Sequence, residues 1–415
     1  MSSLRLAIIG HVTAASGVGE TSRRLGSMLE EIGVEVSYFT APMSRAKRKA
    51  SNLAEHKNFD SKDFDACLLV VNPDLLPITL ALFGLLFDSG IYKIGFWSWE
   101  FEDAPKIWKT LAGLVDEVWT NSDFSALAIS KVLPGTNVSC VPMKPQSALL
   151  SKNPTQGDSH LFTFYTSFDF QSDVDRKNPF AVIEAYRQAF GRSSNSTRLV
   201  IKSINGKRHK KSLDRLNELI SKDKSIELID SHLSVEENFE LLNSADVFVS
   251  LHRAEGFGLN IYDSMTMGKR TITTGYSGNM QFQDQNTSNL VEFKRVPFRK
   301  IYSTYKISSF WAEPSIEDAA NRMRKVFQEV GSDPKSLIGI AKAVSDKYSK
   351  DLVEFSNRLG LIEELKFKKT LKLNLRDLIQ SISKSFVLAI WVFFPILGAL
   401  RRRTSLLLDN AGLRK

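Results

Sequence analysis

Short apolar runs alternate with helical stretches along the first 146 residues of the chain. The first run, LRLAIIG, ends at Gly10, and a helical pattern follows from about Glu20 to Ile32. Strands separated by helices in this way are typical of βαβ units and a parallel sheet. The predicted strands of this part are 4–10, 34–39, 65–71, 92–97, 116–120 and 137–142.

A second series of the same kind follows a segment at 147–159 that is rich in Ser, Asn, Pro and Gly and predicts a linker. Two helix starts have capping-box spacing, at Ser234 with Glu237 and at Ser315 with Asp318. The pattern predicts two Rossmann-like, doubly wound α/β domains facing a cleft, with ligands at the carboxyl ends of the strands. The predicted strands of this part are 161–168, 197–203, 225–230, 245–251, 269–275 and 288–293.

Composition narrows the class of protein. A chain of 415 residues, 43% hydrophobic and 24% charged, predicts more than one globular domain. Cys67 and Cys140 lie in strand-like runs, which predicts buried thiols in a reducing compartment, and no Cys/His cluster has metal-ligand spacing. The chain begins directly with a strand pattern rather than with a signal-peptide layout, so we expect a cytoplasmic protein.

The formal net charge of +9 is concentrated in residues 366–415, which hold eleven basic and two acidic residues. The other residues carry 44 charges of each sign, which argues against a nucleic-acid partner because that class needs a basic face on the folded body. Within this tail, Phe386 to Leu400 is uncharged but only about 22 Å long as a helix, short of the roughly 30 Å hydrocarbon core. The tail therefore predicts peripheral attachment to an anionic membrane surface. The alternatives are a short or re-entrant span and a final helix packed on the body.

The strongest motif is LHRAEGFGLNIYDSMTMGKRTITTG at 251–275, a strand, a glycine turn and a helix. Gly256 and Gly258 would let the backbone approach a ligand, and amides at the helix start can face an anion. The spacing predicts Glu255 at the strand end and Asp263 about two turns into the helix. For the acid pair alone, a strand–turn–helix with Glu255 as a solvated cap is the favoured interpretation; within the whole string it is not.

This segment resembles the motif of family-four glycosyltransferases, which are retaining enzymes of the GT-B fold. The resemblance implies that Glu255, expected in an open cleft, addresses the donor sugar and that Asp263 binds ribose hydroxyls. The family pattern has Glu at the second position, so the shorter Asp263 is a departure. The resemblance also implies donor contacts at Gly256, Phe257, Gly258 and Leu259.

A second string, FDFQSDVDRKNPFAVIEAYRQAF at 168–190, resembles the opening of the family's donor domain. Lys177 matches the lysine that binds the donor diphosphate, although a solvated residue before a helix is the alternative. Ser172 stands where the family often has arginine, so a second cation must come from Arg176 or Lys202. Asp173 and Asp175 fit helix capping and charge balance better than a metal site, so we expect no metal and no cofactor.

Two further segments indicate ligand contacts in the first domain. Gly17 and Gly19 lie in a strand-to-helix loop and could approach the donor phosphate, with His11 either lining the cleft or bonding locally. Ser22 replaces the third glycine of a nicotinamide-binding loop, and the second strand lacks a terminal acid, which excludes a dehydrogenase.

GFWSWEFEDAPKIW at 95–108 resembles a Trp-x-Trp-Glu segment of some family members. The resemblance implies acceptor contacts at Trp99 and Glu100, while Trp97 fits core packing equally well.

Together these features predict a retaining hexosyltransferase that moves a sugar from a nucleotide-sugar to a glycan or lipid-linked acceptor in surface polysaccharide or glycolipid synthesis. The alternatives are a nucleotide-sugar-modifying enzyme such as an epimerase, and a non-catalytic binding module. The predicted divisions are an acceptor-side domain at 1–146, the linker, a donor domain at 160–345, a helix at 346–365 that crosses back, and the tail at 366–415.

Overall fold

The computed structural model describes residues 4–41, 58–88, 90–146, 161–302, 305–329 and 334–370. These residues divide into two compact units. The first contains the residues up to Trp97, Lys109–Val118 and the residues from Asn357, and the second contains Ser98–Trp108 and Trp119–Ser356. The predicted linker and the tail after Thr370 lie outside the described residues, and the predicted domain boundaries stay predictions.

The first parallel sheet has the strand order β2-β1-β3-β4-β5-β6. Its strands are β1 (Arg5–Gly10), β2 (Glu35–Thr40), β3 (Ala66–Val70), β4 (Tyr92–Phe96), β5 (Glu117–Thr120) and β6 (Asn137–Cys140). Every residue of β3 and β4 is buried, as expected for strands covered on both faces. The helices are α1 (Gly17–Glu31), α2 (Leu76–Leu82), α3 (Trp108–Leu111) and α4 (Asp123–Ser130).

The second sheet has the order β12-β11-β10-β7-β8-β9, and its paired strands are parallel. Its strands are β7 (Phe162–Asp169), β8 (Thr197–Ile204), β9 (Ile226–Asp230), β10 (Val247–Ser250), β11 (Arg270–Thr274) and β12 (Asn289–Val291). The helices are α5 (Val174–Lys177), α6 (Pro179–Phe190), α7 (Lys210–Ile220), α8 (Val235–Asn243), α9 (Leu259–Thr266) and α10 (Ile316–Gln328). A core that includes Phe164, Tyr186, Leu199, Ile272 and Met323 joins this sheet to its helices.

All twelve predicted strands are present, and the expectation of two Rossmann-like domains is confirmed. An antiparallel hairpin of β13 (Phe293–Tyr302) and β14 (Tyr305–Pro314) was not predicted; it forms a two-stranded sheet of its own between β12 and α10. A long helix, α11 (Pro334–Thr370), follows. Among the described residues no helix has the length and apolar character needed to cross a membrane.

Candidate functional site

The candidate site lies at the carboxyl edge of the second sheet, between β7 and β10. The strand order reverses between these two neighbours, and in doubly wound sheets ligands bind at that point. β10 pairs with β7 only through Val247 and Phe248, although β7 continues to Asp169. The segment after β7 carries Arg176 and Lys177, and the loop after β10 carries Glu255, so the fold brings together residues almost 80 positions apart.

Glu255 is the centre of a buried ionic cluster. Its Oε1 accepts a hydrogen bond from the Lys177 ammonium, and its Oε2 lies 3.2 Å from Nη1 of Arg176. Arg176 Nη1 also donates to the carbonyl oxygen of Ala254 at 2.7 Å. The expectation that Glu255 stands in an open cleft is therefore wrong: the side chain is buried because two cations compensate its charge.

These cations also fix the ionisation of Glu255. Burial by itself raises the pKa of a carboxyl group, but the positive charges of Lys177 and Arg176 outweigh burial and lower the pKa of Glu255 to about 2. The side chain of Lys177 is 20% exposed and that of Arg176 is 3% exposed. Of the two cations, Lys177 is therefore the one that a ligand can reach, while Arg176 holds the cluster in place.

The short helix α5 presents both cations. Its flanking residues, Asp173 and Asn178, have positive φ angles of 68° and 53°, an unusual backbone for residues other than glycine. The Asn178 amide donates to the carbonyl oxygen of Leu251 at 3.0 Å, and the backbone N–H of Arg253 donates to that of Arg176 at 2.7 Å. The loop after β10 therefore helps to hold α5 in a backbone conformation that is costly by itself.

The two carboxylates of the Asp-x-Asp string have structural partners. Asp173 caps α5 by accepting from the backbone N–H of Asp175 at 3.2 Å. The ammonium of Lys300 lies 2.5 Å from Asp173 and 3.5 Å from Asp175. Capping and charge balance were the predicted roles, but the sequence did not reveal Lys300, which comes from the hairpin. Within the described residues no three His, Cys, Asp or Glu side chains form a possible metal site, and metal independence stays a prediction.

The glycine turn after Glu255 is held by close backbone contacts. A Cβ atom at Gly256 would lie 3.1 Å from the carbonyl oxygen of Trp99, and one at Gly278 would lie 2.0 Å from that of Gly256. The Ser122 hydroxyl donates to the Gly256 carbonyl oxygen at 2.6 Å. Gly258 has φ +92° and begins α9, which no side chain caps. The turn thus ends in a helix start whose first amides have no capping side chain.

The other predicted residues of this motif are placed as follows. Asp263 is the fifth residue of α9 and therefore lies just over one turn into the helix, not two, because the helix begins only at Leu259. Leu259 is half-buried at that start. Phe257 packs its ring against Tyr262 and Phe282, with centroids 5.1 and 4.9 Å away, so its ring supports the turn from within.

Lys202 lies at the same sheet edge but has different partners. It is buried near the end of β8, and its ammonium donates to the carbonyl oxygens of Ser203 at 3.0 Å and Ser231 at 2.6 Å. Burial, only partly offset by Asp230 and Asp169, lowers the pKa of Lys202 to about 8. Arg176 and Lys202 were the two candidates for the second cation. In the structure Arg176 lies beside Glu255, whereas Lys202 is bound to two backbone carbonyl oxygens.

The segment around Trp99 and Glu100 belongs to the second unit, together with Glu255. Trp99 is only 2% exposed and packs on Phe101 and Trp108, which leaves its ring faces covered rather than open to a sugar. Glu100 is 22% exposed and lies 3.8 Å from Nη2 of Arg176. Burial raises the pKa of Glu100, and the Glu255 carboxylate adds to that rise while Arg176 opposes it.

The remaining predicted residues lie in the first unit, in the loop between β1 and α1. The backbone N–H of Gly19 donates to the Ser16 hydroxyl at 3.2 Å, and a Cβ atom there would lie 2.3 Å from the carbonyl oxygen of Ala14. Close packing thus explains why residue 19 is glycine, whereas a Cβ atom at Gly17 would have no neighbouring atom within 4 Å. His11 is half-buried, and burial lowers its pKa.

Comparisons with known proteins agree with this architecture. A family model described as glycosyl transferases group 1 matches residues 167–296, the part that contains Lys177 and Glu255. No curated protein matches the chain.

Three similar solved structures share 12–14% identity with the chain. A Rickettsia africae glycosyltransferase has a TM-score of 0.60, 12% identity and coverage of 90% of this chain and 100% of that one. Anabaena HepE with UDP and glucose has a TM-score of 0.55, 12% identity and coverage of 86% and 98%. TarM of S. aureus, in a complex with UDP, has a TM-score of 0.54, 14% identity and coverage of 73% of this chain but only 56% of its own length. The predicted GT-B fold is confirmed.

Proposed function

We propose that this chain is a retaining glycosyltransferase that moves a hexose from a nucleotide-sugar to an acceptor hydroxyl. The match of residues 167–296 to the family model of glycosyl transferases group 1 supports this proposal. The observation that carries the proposal is the Lys177–Glu255–Arg176 cluster at the point where the strand order reverses. A carboxylate kept ionised beside a reachable cation suits a reaction that separates positive and negative charge.

In this proposal Lys177 and the uncapped start of α9 bind the donor diphosphate, and Asp263 accepts hydrogen bonds from the ribose. The bond from the anomeric carbon to the diphosphate breaks, and the diphosphate keeps the electron pair. The acceptor hydroxyl forms the new bond on the same face, and its proton passes to the leaving phosphate. The negative charge of Glu255 stabilises the positive charge that develops on the sugar.

Donor binding would alter the ionic cluster. Lys177 pairs with Glu255 in the described structure, and an incoming diphosphate would compete for the same ammonium. Glu255 would then keep Arg176, which is buried and also hydrogen-bonded to Ala254 and Ser172. Moving Lys177 from Glu255 to the diphosphate would leave the carboxylate more negative at the place where the sugar becomes positive.

The experiment that tests the function is a thermal-shift panel of UDP-glucose, UDP-N-acetylglucosamine, GDP-mannose and ADP-glucose. The best donor is then assayed for nucleotide release with and without sugar acceptors. Acceptor-dependent release supports transfer. Conversion of the donor without release would instead indicate an epimerase, and binding without turnover a non-catalytic module. EDTA should leave transfer unchanged, because Asp173 already pairs with Lys300 and accepts from the backbone N–H of Asp175. Loss of activity restored by Mn²⁺ would contradict metal independence.

We further propose that the tail at 366–415 attaches the enzyme peripherally to the cytoplasmic face of a membrane, where the acceptor is a glycan or a lipid-linked molecule in surface polysaccharide or glycolipid synthesis. Its support is the concentration of the whole net charge of +9 around an uncharged stretch of fifteen residues. Flotation with anionic vesicles, comparing the full chain with a truncation after Leu365, tests the attachment. Equal recovery of both proteins in the soluble fraction at low salt would contradict it.

A further inference from the structure

The segment after β11, residues 275–279, binds the main chain of Glu255 at two points. The backbone N–H of Glu255 donates to the hydroxyl oxygen of Ser277 at 2.8 Å, and the backbone N–H of Gly278 donates to the carbonyl oxygen of Glu255 at 2.9 Å. The ion pairs with Lys177 and Arg176 hold only the side chain. The segment therefore supplies a second, independent attachment of Glu255.

Ser277 supplies its hydroxyl from a strained backbone. Its φ of 78° and ψ of −147° lie close to a region that is used almost only by glycine. A glycine at this position would avoid the strain, but the buried N–H of Glu255 would then lose its acceptor. The Ser277 hydroxyl proton goes to the carbonyl oxygen of Tyr276, which leaves the oxygen free to accept from Glu255. The fold thus keeps a costly conformation at a residue that touches the candidate site.

The buried side chain of Asn279 holds this segment to the sheet. Its Nδ2 donates to the carbonyl oxygen of Thr274 at 3.0 Å and to Oε1 of Gln283 at 2.8 Å. Because a carbonyl oxygen can only accept, the contact with Thr274 fixes which end of the amide is the nitrogen. The Asn279 oxygen, Oδ1, consequently points the other way and lies 3.0 Å from Nε2 of His252.

His252 is buried three residues before Glu255 and joins the two loops. Its Nε2 faces the Asn279 oxygen and the carbonyl oxygen of Tyr276, 3.2 Å away, so Nε2 must carry a proton. Burial lowers the pKa of His252 and favours the neutral ring, in which Nδ1 accepts from the Ser250 hydroxyl at 3.0 Å. Both ring nitrogens are therefore satisfied, and the ring links the loop after β10 to the segment after β11.

We propose that His252 and Asn279 are positioning residues, whose hydrogen bond holds Ser277 in the strained conformation that fixes Glu255 opposite the reacting sugar carbon. This inference rests on the proposed glycosyl transfer and adds the residues that keep its carboxylate in place. They matter most when the donor is bound, because Lys177 then turns to the diphosphate and Glu255 loses one of its side-chain partners.

The first test compares Ser277→Gly with Ser193→Gly in the full chain. Ser193 also has a positive φ, 56°, and its hydroxyl accepts from the backbone N–H of Lys224 at 3.2 Å. It precedes β8 and therefore lies at the amino edge of the same sheet, away from the candidate site. Both changes relieve a positive φ and remove one hydroxyl acceptor. The donor is the nucleotide-sugar with the largest thermal shift in the panel above, used with the sugar acceptor that supports its transfer.

For Ser277→Gly we expect kcat to fall about tenfold, because a displaced carboxylate stabilises the transition state less well. The donor KM should change less than about twofold, since Lys177 and the start of α9 bind the diphosphate. The melting temperature should stay within about 3 °C of wild type, because relief of strain offsets the lost hydrogen bond. Ser193→Gly should leave kcat unchanged.

The second test concerns the hydrogen bond between His252 and Asn279. In His252→Gln the side-chain amide can place its N–H where Nε2 was, whereas His252→Asn is one carbon shorter and cannot reach Asn279. We expect His252→Asn to lower kcat about tenfold and His252→Gln to stay within about threefold of wild type. In a Ser277→Gly background, His252→Asn should lower kcat little further, since it acts through Ser277. All rates are measured well below the lowest melting temperature of the set.

The outcomes separate this inference from the proposed function. A wild-type protein that transfers sugar, with a Ser277→Gly variant of equal kcat, would overturn the inference alone. An equal loss of kcat in Ser193→Gly, or equal rates in His252→Gln and His252→Asn, would also overturn it, because these results would indicate a merely structural role. A wild-type protein that shows no transfer would overturn the proposed function and this inference with it.

Discussion

Two strand-to-helix glycine turns occupy corresponding places in the two sheets, and they differ in where their polar partners come from. The turn before α1 follows β1, and the strand order of the first sheet reverses next to β1. The turn before α9 follows β10, and the strand order of the second sheet reverses next to β10. By glycine spacing alone, Gly17 and Gly19 resemble Gly256 and Gly258.

The first turn supplies its own partners. Ser16 caps α1, and Arg23 donates to the carbonyl oxygens of Val12 and Ala14 at 2.8 and 3.1 Å. Glu20 accepts from both Arg23 and Arg24, three and four residues later. These contacts join residues at most 11 positions apart in the sequence.

The second turn depends on distant segments. Its glutamate is compensated by cations from α5, its carbonyl oxygen at Gly256 is bound by Ser122, and its helix has no capping side chain. A loop that keeps a helix start uncapped and a cation reachable retains polar groups for a ligand. The comparison favours the second turn as the candidate site, because its polar partners come from distant segments, whereas glycine spacing does not distinguish the two turns.

The largest expected effect is that of Glu255→Gln. Transfer should fall by more than about 1,000-fold because the variant lacks the charge opposite the developing cation. Unfolding in urea should show a loss of about 3 kcal/mol, since Arg176 and Lys177 lose their common partner. The control is Glu20→Gln, which removes a carboxylate shared by two cations in the first turn. A comparable loss of transfer in that control would show that the two turns do not differ in role.

Lys177→Ala should lower transfer by roughly 30- to 1,000-fold, corresponding to about 2–4 kcal/mol of transition-state stabilisation. Steady-state kinetics with the panel donor measures the effect. Lys202→Met is the comparison, because Lys202 is a buried lysine of the same sheet edge whose ammonium is held by carbonyls. Lys202→Met should lower the unfolding free energy more than it raises the barrier to transfer. A larger loss of transfer in Lys202→Met than in Lys177→Ala would contradict the assigned site.

Asp263→Ala should weaken nucleotide binding about tenfold, because the variant loses one hydrogen bond to a charged group. Isothermal titration with the nucleotide released in the assay measures it. Asp263→Glu restores the residue of the family pattern and should bind within a few-fold of wild type. Unchanged affinity in Asp263→Ala would exclude the ribose contact.

The smallest effect concerns the first turn. Ser16→Ala should cost about 1 kcal/mol of unfolding free energy, the usual value of an N-cap, with transfer changed less than threefold. Ser234→Ala, which removes the cap of α8, should cost a similar amount. A loss of transfer far beyond the loss of stability would mean that the first turn contacts substrate.

The sequence by itself determined the strands, because each buried parallel strand is an apolar run of the right length. It also predicted the helix starts at Ser234 and Ser315, where local spacing and local hydrogen bonds coincide. Glu255 and Lys177 were candidates from the motifs, and the structure brings them together. A capping interaction joins residues three apart, so the chain reveals it directly.

Only the tertiary structure decided which cation joins Glu255, that Trp99 is packed rather than open, and that Lys300 pairs with Asp173. From the sequence, Arg176 after β7 and Lys202 near the end of β8 are both candidates for the second cation. Their different partners depend on which strands are neighbours. The hairpin escaped prediction because its stability depends on contacts with Trp99, Phe101 and Asp173, about 120 to 200 residues earlier in the chain. Local periodicity describes which face of an element is apolar, whereas the pairing of charges across the sheet edge depends on strand order, which periodicity does not encode.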